Sequence, residues 1–88
     1  MCRIKINLNT TTPEGTYIAV ATGRYRIKNS GDQWTNFNIN LISPQTPDIT
    51  QIGAYDLEVN VTNNVGEISD WAVSTFSISP SCTNTVDI

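Results

Sequence analysis

Between Gly53 and Ser79 the chain alternates apolar and polar residues in two runs separated by a polar turn. Tyr55, Leu57, Val59 and Val61 fall on one parity, and Asp56, Glu58, Asn60 and Thr62 on the other. A period of two marks a strand with one buried face. Asn63-Asn64-Val65-Gly66 breaks the alternation with turn-favouring residues. From Trp71 to Ile78 the spacing resumes, and Val73, Thr75, Phe76 and Ile78 are the β-branched and aromatic types that suit a pleated surface. The start of the chain repeats the theme, with Cys2, Ile4, Ile6 and Leu8 on one face and Arg3, Lys5 and Asn7 on the other. Thr10 to Gly15 then turns it. Thr16 to Lys28 supports two readings. One is a strand to Ala21, the dipeptide Thr22-Gly23, and a second strand from Arg24. The other is one long strand bent at Gly23, since Tyr17, Ala19, Ala21, Tyr25 and Ile27 keep their parity through the glycine. The count is seven strands in the first case and six in the second, and both stay open. Asn29-Ser30-Gly31-Asp32 predicts a turn, Gln33-Trp34-Thr35 a strand, and Phe37 to Leu41 a further apolar stripe.

Composition narrows the class to all-β. Twelve threonines and ten asparagines stand beside few leucines, alanines or glutamates, which disfavours helices. The 88 residues allow one core, and a chain of this size buries only roughly 60–65% of its unfolded surface. The expected organisation is one β-sandwich domain over residues 1–79, followed by a polar tail over 80–88. No segment approaches the ~20 apolar residues of a membrane span. Arg3 and Lys5 interrupt the apolar run nearest the start, so no secretion signal is expected.

The run from Tyr55 through Asn63-Asn64-Val65-Gly66 to Ser69-Asp70-Trp71 resembles the last two strands of a fibronectin type III domain. Arg24 to Lys28, the turn after it and Gln33-Trp34-Thr35 look like strands C and C′ of the same family. The resemblance covers residues 24–78 and implies an immunoglobulin-like sandwich of six to seven antiparallel strands. It makes Tyr55 the structural tyrosine corner, with Ile49 in the position of the residue that caps the core beneath it. The first quarter departs from the family, and the tryptophan that its strand B usually buries is missing. The fold itself implies adhesion, spacing or display rather than one function.

All five basic residues, Arg3, Lys5, Arg24, Arg26 and Lys28, precede residue 29, and seven of the eight acids follow it. With strand C beside strand F, Arg24, Arg26 and Lys28 would face Asp56 and Glu58 across one sheet, each pair contributing roughly 0.2–1 kcal/mol. The net charge of −3 and this neutralised basic stripe argue against a nucleic-acid partner. Cys2 and Cys82 are the disulfide candidates, and a bridge would suit an extracellular or virion setting.

The chain has no histidine, which removes Ser-His, Cys-His and His-metal chemistry. No catalytic residue, metal site or cofactor is therefore expected, and the chain is read as a non-enzymatic structural or interaction module. The interaction candidates are Trp34 and Phe37 near an edge strand, Asn63, Asn64, Glu67 and Asp70 in the turn between strands F and G, and Trp71 beyond it. The leading expectation is a small accessory component of a larger assembly, such as a bacteriophage capsid-decorating or tail protein, located in the virion. One alternative is an adhesion or spacer module of a secreted bacterial protein, extracellular or at the cell surface. Another is a carbohydrate-binding module using Trp34, Trp71 or Tyr17. Partners are expected to be proteins of the assembly, further copies included, or a glycan in the last case, with neither nucleic acid nor membrane.

Overall fold

A computed structural model of the chain describes residues 2–9, 14–28, 31, 33–81 and 85–88. Its strands are β1 (Lys5–Asn7), β2 (Ile18–Ile27), β3 (Thr35–Ile39), β4 (Gly53–Asn63), β5 (Ala72–Ile78) and β6 (Thr85–Asp87). Four of them form an antiparallel sheet in the order β3-β2-β4-β5, while β1 and β6 form a parallel pair. The described residues contain no helix, so the protein is all-β.

The strand pattern of the sequence reappears as burial. On β4, Tyr55, Leu57 and Val59 are buried and the residues between them half-buried, so one face of the sheet is core and the other partly wet. β2 is a single strand running through Gly23, as the parity argument allows, with a register irregularity between Ile18 and Val20. A Cβ at Gly23 would run into the ring of Phe37, which closes over the glycine from β3. Aromatic rings continue across the inner face, with Phe37 tilted on Tyr25, Tyr25 edge-on to Tyr55, and Tyr55 stacked on Phe76 at 5.3 Å. Ile4, just before β1, and Ile6 and Val86 from the parallel pair join Leu57, Val59 and Ile78 in the same core.

Three expectations are revised. The polar tail expected over residues 80–88 includes β6, whose Val86 is 4% exposed, so the core extends past residue 79. Three residues are too few for the alternation of Thr85, Val86 and Asp87 to stand out. The pairing of β1 with β6 is parallel, so the strands are not all antiparallel. The strand expected over 33–35 and the apolar stripe expected over 37–41 meet in one strand, β3, which spans Thr35–Ile39.

On its other side β1 meets an irregular segment. Cys2 and Ile49 exchange backbone hydrogen bonds, Thr46 N donates to Ile4 O, and Ile6 N donates to Pro44 O. Thr46 is fully buried because its hydroxyl replaces a ladder bond: Oγ1 accepts from Ile4 N at 3.0 Å and donates to Pro47 O at 3.0 Å.

Candidate functional site

Outward-facing residues of the large sheet form a ladder of charges and indoles. Register places Arg24 opposite Glu58 and Arg26 opposite Asp56. Arg24 Nε donates to Glu58 Oε1 at 2.7 Å, and Arg26 Nε lies 3.7 Å from Asp56 Oδ2. The cross-strand pairing expected for these residues is thus present, while Lys28 is exposed and its backbone N–H donates to Ala54 O. What the sequence did not suggest is the stacking above the pairs. The Arg24 guanidinium lies 4.7 Å from the Trp34 ring centroid and 4.0 Å from that of Trp71, and Arg26 lies 4.2 Å from Trp34. Trp34, just before β3, and Trp71, just before β5, thereby meet at one side chain from the middle of β2. Each stacked cation contributes roughly 0.5–1 kcal/mol at a partly wet site.

The turn after β4 is organised by Asn63. Its Oδ1 accepts from Val65 N at 3.1 Å and Glu67 N at 2.9 Å, while its Nδ2 donates to Glu67 Oε1 at 2.9 Å. Gly66 takes a φ of 89°, the left-handed region that favours glycine. Asn64 ties the turn to the start of β2, accepting from Tyr17 N through Oδ1 and donating its own N–H to Tyr17 O. Ser69 continues this anchorage by accepting from Val61 N and donating its N–H to Val61 O.

The seven interaction candidates do not form one site. Trp34, Phe37 and Trp71 are half-buried, the two indoles against arginines on the outer face and Phe37 over Gly23 on the inner face. Asn63 is half-buried as the organiser of its turn, whereas Asn64, Glu67 and Asp70 are exposed there. Tyr55, expected as a structural residue, donates its hydroxyl to Gln51 O at 2.7 Å, and burial, followed by the neighbouring Tyr25, raises its pKa above the ordinary 10.0. Cys2 is buried and disulfide-bonded, while Cys82 lies outside the described residues, as do Asn29, Ser30 and Asp32 of the predicted turn after β2. Among the described residues, no three His, Cys, Asp or Glu side chains come together as a metal site.

Sequence reading missed a set of exposed apolar residues, with Ile42 95% exposed, Ile68 69% and Val65 63%. Their lack of alternation with buried neighbours was the available signal. Comparison with protein-family models, curated proteins and solved structures finds no match.

Proposed function

We propose that the chain is a non-enzymatic interaction module, an immunoglobulin-like β-sandwich that serves as an accessory subunit of a larger assembly such as a phage capsid-decorating or tail component. The immunoglobulin-like part of the reading is supported by the sheet order, which matches C′-C-F-G when β3, β2, β4 and β5 take those roles. It is also supported by the Tyr55 hydroxyl reaching back to Gln51 at the start of the F-like strand. The second layer differs from the family, since the parallel β1–β6 pair and the segment from Pro44 to Ile49 stand where strands A, B and E would be.

One observation carries the functional part: the terminal strands of the large sheet are uncharged. β3 reads Thr-Asn-Phe-Asn-Ile and β5 reads Ala-Val-Ser-Thr-Phe-Ser-Ile, with neither lysine nor proline in either. Edge strands usually carry such residues to prevent pairing between molecules, and strands without them suit addition of a neighbouring subunit's strand. Light scattering of the purified protein over a range of concentrations, with and without reductant, tests this. A concentration-dependent oligomer is expected. Charges placed on exposed edge positions, Asn36→Lys with Asn38→Lys or Val73→Lys with Thr75→Lys, should dissolve it while leaving the core intact. A monomer at every concentration would overturn the edge-pairing reading.

A further inference from the structure

Among the described residues, one end of the molecule gathers most of the exposed large apolar side chains. Asn64 joins Tyr17 to the turn after β4, and Thr62 pairs with Val20 on one side and bridges Ile68 on the other. Leu41 follows the end of β3 and lines, with Leu8, Ile18 and Pro44, an open groove of about 660 Å³ at the same end. Tyr17, Val20, Leu41, Ile42, Val65 and Ile68 are each between 41% and 95% exposed. Apolar side chains scattered singly are ordinary on a protein surface, but a group at one pole marks a contact.

Four acidic side chains gather at or near this pole. Glu67 and Asp70 lie in and after the β4–β5 turn, Asp87 lines the groove, and Glu14 sits three residues before Tyr17. Arg24 and Arg26 occupy the half of β2 that runs away from the pole and Lys28 follows it, while Lys5 adjoins the groove beside Ile6 and bridges Gln45.

We infer that this pole docks a second, different protein whose contact surface has an apolar centre and a rim of lysine and arginine. Charge complementarity selects that occupant. Two copies meeting pole to pole would oppose acidic rims, and anionic lipid headgroups would be repelled in the same way. The inference rests on the reading of the chain as a protein-binding module and adds the surface and the chemistry of its partner. The sheet edges would join like subunits, while the pole would engage the unlike one.

The test uses the full chain, labelled for NMR and titrated with a synthetic amphipathic helix that has one leucine face and one lysine face. Control titrations use the same helix with glutamate in place of lysine, and zwitterionic and anionic vesicles. The lysine helix is expected to shift the amides of Tyr17 to Val20, Leu41, Ile42 and Val65 to Ile68. Raising the salt from about 50 to about 500 mM should weaken the binding by screening the rim. Ile42→Ser with Ile68→Ser should weaken it about tenfold or more, as loss of central apolar anchors does. Both side chains are exposed, so the fold should be retained, which the remaining amide dispersion reports. Equal binding of the glutamate helix, binding of vesicles through the pole, or shifts confined to β3 and β5 would each overturn the inference. Light scattering of the same samples separates the two readings. A monomer whose pole takes the lysine helix loses only edge pairing, and an oligomer whose pole ignores it loses only the docking surface.

Discussion

Tyr55 shows how a single side chain couples the fold to pH. Its hydroxyl donates to Gln51 O, and its ring stacks on Phe76 while meeting Tyr25 edge-on. Tyr55→Phe should cost about 0.5–1.5 kcal/mol at neutral pH, the net worth of one hydrogen bond, measured by urea unfolding. Because the folded pKa is raised, the folded protein holds this proton more tightly than the unfolded chain does. The associated stability is fully present below the unfolded value of about 10 and declines as pH rises through the folded value. The phenylalanine variant should therefore lose less stability than the native chain between neutral pH and pH of about 10.5. An equal loss in both proteins would mean that Tyr55 is not the group titrating. Gly23 makes a second residue-level case. Adding a methyl group forces the Phe37 ring off its seat, so Gly23→Ala should cost about 1–3 kcal/mol. The penalty should shrink when Phe37→Leu is present, and a double-mutant cycle without coupling would refute the contact as its cause. The position of Tyr55 was readable from alternation and the turn after it. The pairing of Gly23 with Phe37 was not, because it depends on the register between β2 and β3.

Strands were legible where the alternation of apolar and polar residues runs long, as it does from Cys2 to Leu8 around the three-residue β1. β4 stood out because it repeats its alternation over 11 residues. β2 was readable as one strand only by following parity through Gly23, and β6 was lost because three residues carry too little pattern. Pro44 to Ile49 falls between the strands read from the sequence yet forms the flank of β1, since the buried Thr46 hydroxyl supplies by side chain what the backbone does not. The charge pairs between β2 and β4 followed from the resemblance that sets strand C beside strand F, whereas the tryptophans joined to them required the register. Sequence places Trp34 and Trp71 far apart, and the sheet brings both onto Arg24. Arg24→Ala should cost about 1–2 kcal/mol by removing the two stacking contacts and the partly exposed pair to Glu58. Arg24→Lys keeps the charge but not the planar group that lies against both indoles, so it should recover less than half of that loss. Tryptophan emission should shift to the red in both variants as the indoles gain water. Full recovery by lysine would show that charge alone maintains the ladder.

At the scale of the molecule the two ends of the chain are joined through a very short parallel contact. β1 and β6 pair over three residues, and the contact is extended by Ile88 N donating to Asn7 O at 3.0 Å and Asn9 N donating to Ile88 O at 2.8 Å. Val86 brings one buried side chain to the core from this strand, with Ile88 packed partly against it. So small a contact offsets little of the backbone entropy lost on ordering, which costs about 1–2 kcal/mol per residue. Cys2 lies in the core at the start of the same layer and is disulfide-bonded, and the chain has one other cysteine, Cys82, three residues before β6. A bridge between them would close nearly the whole chain and, in the chain-entropy model, contribute about 4–5 kcal/mol. Reduction should then lower the melting temperature on the order of 20 °C for a domain of this size. Hydrogen exchange locates the effect. In the reduced protein the amides of Asn9 and Ile88 should lose protection first, while those joining β2 to β4 persist, because the large sheet has its own aromatic core. Cys82→Ser should reproduce the reduced behaviour without reductant. If the reduced and oxidised proteins melt together and Ile88 stays protected, the packing of Val86 and Ile88 alone holds the end of the chain against β1.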